Sequence, residues 1–145
     1  MLACTKRYAD IPFAHRAPKH DGHCRFIHGH NWTFDISFTA EQTDDCGFIV
    51  DFGKLHNLRD ALYSMFDHSL VLNHDDPLGA ELESFLNARG IGNVVRIPDC
   101  SSEGIALFVF GMADSIVRQQ TNDRARVFCV IVYEDSKNKA TYASQ

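Results

Sequence analysis

The sequence lacks several features that would place it in a special class. No apolar run reaches membrane-spanning length, no run of Lys or Arg is present, and the 145 residues carry a formal net charge of −5. A membrane span needs about 20 consecutive apolar residues, and nonspecific nucleic-acid binding needs a basic face. We therefore expect neither a membrane nor a nucleic acid as a partner.

Cysteine chemistry is also limited. The five cysteines are irregularly spaced and include no CxxC pair, so an all-cysteine zinc site is not expected. The start of the chain has no apolar core followed by small residues, as a secretory signal would. These features predict reduced thiols and a cytoplasmic location. Hydrophobic residues make up 45% of the chain, which predicts one globular domain over residues 1–145.

Hydrophobic periodicity predicts the secondary structure. The stretch HGHNWTFDISFTA alternates from His28 onwards, which is typical of a strand with one buried face. A spacing of three and four predicts an amphipathic helix beginning near Asp51, and a second long helix follows a cap at Ser101 or Ser102. With ELESFLNARG as a short helix and VVRIP, RVFCVIVYE and ATYAS as strands, the order is β-β-α-(α)-β-α-β-β. This order indicates an α+β fold with a mostly antiparallel sheet.

Histidines are concentrated in HDGHCRFIHGHNW, which holds four of the eight in the chain. His28 and His30 are two apart on the predicted strand and therefore lie on one face. Imidazole is a common zinc ligand, and a catalytic zinc needs three protein ligands and an open fourth position. His15 is the preferred third ligand, because a β-hairpin would bring it beside His28. His20 and His23 are the alternatives.

Cys24 lies four residues before His28 and allows three interpretations. It is a small buried hydrophobic residue, a fourth zinc ligand of a structural site, or a thiolate base activated by the nearby metal. Spacing alone does not decide between them.

The order of FAHR, CRFIHGHNW, GFIVDFGKL, FDHSLVLN, SSEGIA and VYE resembles the 6-pyruvoyl-tetrahydropterin synthase / 6-carboxy-tetrahydropterin synthase family over nearly the whole chain. The resemblance implies the tunnelling fold (T-fold). In that fold a four-stranded antiparallel sheet carries two long helices on one face, in the order β-β-α-α-β-β, and the subunits form a barrel by oligomerisation. It implies a homo-oligomer, a trimer-based hexamer or a tetramer, with active sites between subunits.

The resemblance also implies residue roles. Zinc would be bound by His15, His28 and His30, Cys24 would be the catalytic base, and Asp67 with His68 would complete a proton relay. Glu134 would anchor the pterin ring and Glu103 would line its pocket.

Simpler interpretations of four of these residues stay open. Glu103 suits the first turn of any helix because of the helix dipole. Asp67 and His68 suit a helix cap and a solvated histidine, and Glu134 suits a hairpin turn.

The short spacing of three residues between Cys24 and His28 resembles the branch that acts in bacterial queuosine (7-deazaguanine) synthesis. That branch implies a zinc-dependent lyase that converts 7,8-dihydroneopterin triphosphate to 6-carboxy-5,6,7,8-tetrahydropterin, acetaldehyde and triphosphate. The alternatives are the pyruvoyl-forming elimination and a non-catalytic zinc-binding domain. A cupin-type metalloenzyme fits less well, because Asp35 stands where that motif has Glu.

Overall fold

The two longest strands form the centre of a six-stranded sheet in a computed structural model that describes residues 1–144. The strands are β1 (Ala3–His15), β2 (His28–Ala40), β3 (Ser69–Asn73), β4 (Asn93–Ile97), β5 (Ala125–Tyr133) and β6 (Lys139–Ala143). The helices are α1 (His56–Phe66), α2 (Gly79–Arg89) and α3 (Ser102–Thr121). The order across the sheet is β4-β3-β1-β2-β5-β6, so β4 and β6 are its edges.

The alternation predicted for β2 is confirmed. Trp32, Phe34, Ile36 and Phe38 are each fully buried, and they face the core from one side of the strand. β1 pairs with β2 in antiparallel register, and Phe13 stacks on Trp32 with ring centroids 4.5 Å apart. This aromatic layer forms the floor beneath the end of the hairpin at which β1 stops and β2 starts.

The expected four-stranded antiparallel sheet is wrong, because β3 and β4 add a parallel half. Ser69 pairs with Phe13 in parallel register, and β4 then pairs in parallel with β3. The segment SLVLN was missed because four of its five residues are buried and show no alternation. Short strands covered on both faces appear as continuous apolar runs, which periodicity does not distinguish from a helix end.

The helices differ in length from the expectation of two long ones. α3 has 20 residues, whereas α1 and α2 have 11 each. Ser101 caps α3, since its Oγ accepts a hydrogen bond from the Gly104 amide at 3.1 Å. Asp51 caps a short 3-10 turn at Phe52–Lys54 rather than α1 itself. α3 packs on β5 and β6, while α1 packs on β1 and β3 and also contacts α3.

Within residues 1–144, no helix combines the length and the apolar character that crossing a bilayer requires. The barrel of several subunits stays a prediction.

Candidate metal centre

Three histidine rings meet where β1 ends and β2 begins. The strand register places His15 directly opposite His28, and His30 lies two residues further along the same face. The ring centroids are 4.6 Å apart for His15 and His28, 5.1 Å for His28 and His30, and 5.4 Å for His15 and His30. Trp32 lies below and meets His15 and His30 edge-on. The pairing of His15 with His28 that the sequence predicted is therefore present.

Glu134 completes this group from the neighbouring strand. It follows β5 directly, and its amide donates to the Asn138 carbonyl at 3.1 Å, which closes the turn to β6. Its Oε1 lies 3.4 Å from both His15 Nε2 and His30 Nε2. One donor atom from each of the four residues lies within 4.8 Å of the other three.

Backbone carbonyls set the tautomers of two of these histidines. His15 Nδ1 lies 2.7 Å from the Cys100 carbonyl oxygen, and His28 Nδ1 lies 2.7 Å from the Phe26 carbonyl oxygen. A carbonyl only accepts hydrogen bonds, so each Nδ1 carries the proton and each Nε2 keeps a lone pair. Metal-binding histidines are commonly oriented in this way.

The electrostatics of the group favour a bound cation. The pKa of His15 is lowered to about 4, chiefly by burial and also by the nearby His28 and His30, while the hydrogen bond to Cys100 opposes the shift. His15 is therefore neutral at pH 7, and its contact with Glu134 is not an ion pair. His15 Nε2 and His30 Nε2 are buried without a hydrogen-bond partner among residues 1–144. The lone pair of His15 Nε2 repels the Glu134 oxygen that faces it unless a cation lies between them.

The spacing suits a small tetrahedral ion. With zinc–ligand bonds of 2.0–2.1 Å, two ligands of a tetrahedral site lie about 3.3 Å apart. The two observed nitrogen–oxygen distances of 3.4 Å agree with this value. The chemistry of three imidazoles and one carboxylate suits a metal ion of the zinc type, and the other donor atoms, all within 4.8 Å of one another, would close in around it.

Cys24 lies near this group without joining it. It belongs to a short 3-10 helix at His23–Arg25, and its carbonyl accepts from the Ala17 amide at 2.7 Å, close to the end of β1. The Cys24 side chain is exposed, and its thiol is not among the converging donors. The fourth donor beside the three histidines is thus Glu134 and not Cys24.

Asp67 and His68 form the predicted pair, but the His68 side chain extends into solvent while Asp67 is partly covered. His68 Nδ1 lies 2.7 Å from Asp67 Oδ1, and the His68 side chain is 82% exposed. The His68 amide donates to the carbonyl of Pro12, three residues before His15. At about 3.3 Å per strand residue, this pair is anchored roughly 10 Å along the strand from His15. Glu103 is also exposed, in the first turn of α3, and lies outside the donor group.

Sequence reasoning missed the contact of Glu134 with the histidines. A signal for it was present, because Val130 and Val132 are buried on the same parity of β5. Every second residue of a strand lies on the same face, so Glu134, two residues after Val132, lies on the face that carries the histidines. The supporting carbonyl of Cys100 had no signal, since every residue carries a carbonyl group.

Comparison with known proteins extends this description. The chain matches the family model described as 6-pyruvoyl tetrahydropterin synthase over residues 4–145. It is 37% identical over 87 residues to the 6-carboxy-5,6,7,8-tetrahydropterin synthase of Rickettsia typhi, which covers 59% of this chain and 62% of that protein. The chain thus spans less than two thirds of the length of the curated relatives it matches first.

Solved structures agree on the fold. An uncharacterized protein from Wolinella succinogenes superimposes with a TM-score of 0.85 at 16% identity, covering 99% of this chain and 98% of the other. A catalytic-residue variant of the Plasmodium vivax 6-pyruvoyltetrahydropterin synthase superimposes with a TM-score of 0.68 at 20% identity, and the match covers 100% of this chain and 99% of the other.

Fold and site together define an α+β protein in which three histidines and one glutamate at the end of the central hairpin form a group that could hold a metal ion. The chain belongs to the 6-pyruvoyl tetrahydropterin synthase family.

Proposed function

We propose that residues 1–145 form a single-domain, zinc-dependent lyase of the cytoplasm that makes 6-carboxy-5,6,7,8-tetrahydropterin. Its substrates would be 7,8-dihydroneopterin triphosphate and water, its other products acetaldehyde and triphosphate, and its pathway queuosine (7-deazaguanine) synthesis. The observation that carries the proposal is the convergence of three histidines and one carboxylate with unpaired Nε2 atoms. The names of the curated relatives support the reaction.

The residues that would hold the metal are His15, His28 and His30. Two of them are fixed by carbonyl groups in the tautomer that presents Nε2. A bound zinc ion would act as a Lewis acid on substrate oxygens and make the adjacent C–H more acidic.

The other residues would recognise the substrate and move protons. Cys24 is accessible and its thiol is free of metal contacts, which suits a base that removes a substrate proton. Glu134 and Glu103 offer carboxylates, and a carboxylate accepts two hydrogen bonds from the amino group and ring N–H of a pterin. Asp67 orients His68 for a proton relay through a short hydrogen bond.

The site would be completed by a second copy of the chain. The Asp67–His68 pair is anchored roughly 10 Å from His15 along the strand direction, and neither residue is among the donors that converge at the histidines. The sheet also has two edges, β4 and β6, at which another subunit can pair. We therefore propose a homo-oligomer in which one subunit supplies the metal and another supplies the relay. Its assembly would be a trimer-based hexamer or a tetramer that closes the barrel.

A product assay tests the reaction. Zinc-loaded protein is incubated with 7,8-dihydroneopterin triphosphate, and the pterin and volatile products are identified. Carboxy-tetrahydropterin with acetaldehyde supports the proposal, whereas pyruvoyl-tetrahydropterin assigns the protein to the other branch. No turnover by protein that holds zinc would reject the substrate and favour a non-catalytic zinc-binding domain.

Cys24→Ala tests the base and has a matched control. Cys46 is also an exposed free cysteine, and it lies in the loop that follows β2. We expect Cys24→Ala to keep its zinc and lose turnover, and Cys46→Ala to change neither. Loss of zinc in Cys24→Ala would make the thiol a structural ligand.

A further inference from the structure

We propose that Glu134 is a metal ligand in the substrate-free protein and has to leave the metal when a pterin binds. One carboxylate would then control access to the metal. The part of the inference that concerns the pterin rests on the proposed function. The part that concerns the metal rests on the geometry of residues 1–144.

The position of the carboxylate is the first argument. Glu134 Oε1 lies at the same distance, 3.4 Å, from His15 Nε2 and from His30 Nε2. This is the ligand spacing of a tetrahedral zinc site, about 3.3 Å. A carboxylate that only anchored a pterin would have no reason to lie against the Nε2 lone pair of His15, whose Nδ1 carries the proton.

The absence of any other partner is the second argument. Among residues 1–144, the Glu134 carboxylate lies against His15 and His30 and contacts no Lys or Arg. Its side chain is 22% exposed, so water reaches part of it, but the oxygen that faces the His15 Nε2 lone pair needs a cation to offset the repulsion. A metal ion held by the three histidines would meet that need.

The surroundings allow the carboxylate to move. The backbone of Glu134 is held by its hydrogen bond to Asn138, so a change of position falls on the side chain alone. Glu134 and His30 border an open cavity of about 410 Å³, which Arg7 and Tyr133 also line. The side chain therefore has space on one side and the metal centre on the other.

The two roles compete for the same oxygen atoms. Anchoring a pterin uses both carboxylate oxygens, one for the amino group and one for the ring N–H. Binding to the metal uses Oε1. A pterin that captures Glu134 would thus vacate the fourth metal position, and a substrate side-chain oxygen is the group that would enter it.

Metal binding tests the inference without requiring activity. The zinc dissociation constant is measured by competition with a chromophoric chelator for wild type, Glu134→Gln and Glu134→Ala, with Glu81→Gln as the matched control, because Glu81 is exposed in the first turn of α2. Loss of a hydrogen-bond partner of a metal ligand already lowers metal affinity about 10–100-fold, so we expect a loss of at least about tenfold in both Glu134 variants and none in Glu81→Gln. Wild-type affinity in Glu134→Ala would overturn the inference.

Folding and the metal centre itself are checked separately. Thermal unfolding of the metal-free proteins is expected to be the same for wild type and Glu134→Ala, so that a lower affinity reflects a lost ligand. If Glu134→Ala is unstable, Glu134→Asp takes its place, since it keeps the charge but is one methylene too short to ligate. A wild type that binds no zinc at all would overturn the metal centre, and with it the proposed function.

Competition with pterin is tested in the cobalt(II)-substituted protein. Unsubstituted pterin presents the amino group and the ring N–H but has no side chain to bind the metal through. We expect saturating pterin to shift the visible absorption of the wild type to that of Glu134→Ala, and to leave the variant unchanged. An unchanged wild-type spectrum with bound pterin would overturn the proposed exchange, while the zinc titrations would still report on the ligand role.

Discussion

Replacing Asn73 by Ala should weaken the metal centre from a distance. Asn73 ends β3, and its Oδ1 accepts a 2.7 Å hydrogen bond from the Cys100 amide. The Cys100 carbonyl in turn lies 2.7 Å from His15 Nδ1. Asn73 therefore holds in place the peptide segment that fixes the orientation and tautomer of His15.

Two magnitudes follow from this geometry. Cys100 is buried, with 1% of its surface exposed, so its amide would lose its partner in Asn73→Ala at a cost of about 1–3 kcal/mol. Loss of a direct partner of a metal ligand lowers metal affinity about 10–100-fold; Asn73→Ala loosens that partner without removing it, so we expect a loss near the lower end, about tenfold or about 1.4 kcal/mol.

The assay combines urea unfolding of the metal-free protein with zinc competition against a chelator. Asn57→Ala is the matched control, because Asn57 is exposed on α1. Asn73→Asp keeps an acceptor and should retain most of the zinc affinity. If Asn73→Ala loses stability but binds zinc within about twofold of wild type, the Cys100 carbonyl is positioned without Asn73 and the reasoning is refuted.

Two further predictions concern stability. In Gly104→Ala the new Cβ would collide with the Asp99 carbonyl oxygen and side chain, so we expect a loss of about 1–3 kcal/mol in chemical unfolding. Gly111, in the same helix, faces open space, and Gly111→Ala should instead raise the free energy of unfolding by about 1 kcal/mol. Equal changes in stability in the two variants would contradict this account. Asp76→Asn removes the charge that pairs with Arg16 Nε at 2.8 Å, where the Asp76 side chain is fully buried, and should cost about 3 kcal/mol. Burial alone would raise the pKa of Asp76, but the hydrogen bonds from Arg16 and from a backbone amide bring it below its usual value. The difference in free energy of unfolding between wild type and Asp76→Asn should therefore have its full size above about pH 4, where Asp76 is ionised, and should shrink as the pH falls further. A difference that stays constant down to acid unfolding would show that the charge is not responsible.

The central hairpin could be predicted because its signals are local. The alternation of β2 and the positions of His15 and His28 depend only on strand periodicity and hairpin pairing, and both are present in the structure. The short strand β3 could not be predicted, because its five residues, four of them buried, show no alternation and begin only three positions after the last residue of α1. Its partners lie on β1 and β4, and that pairing is a property of the whole sheet.

The candidate site divides in the same way. Residues that share a strand face could be grouped from the sequence, and Glu134 was within reach of the same reasoning. The exposure of His68 could not be predicted from the sequence, since it depends on what covers the end of α1. The contact of Asn73 could not be predicted either, because Asn73 binds the backbone of Cys100, a residue distant in the chain.

The single tryptophan of the chain, Trp32, has an unusual neighbourhood. Its ring lies 4.9 Å from that of His15 and 5.3 Å from that of His30, and its indole N–H is tied to the Phe13 carbonyl. With excitation at wavelengths that the four tyrosines do not absorb, the fluorescence of the protein therefore comes from one chromophore that contacts two of the candidate metal ligands. A paramagnetic ion such as copper(II) or cobalt(II) bound there would quench that emission, whereas zinc would not. The fold thus carries a built-in optical reporter of which ion is bound, readable in the unlabelled wild type.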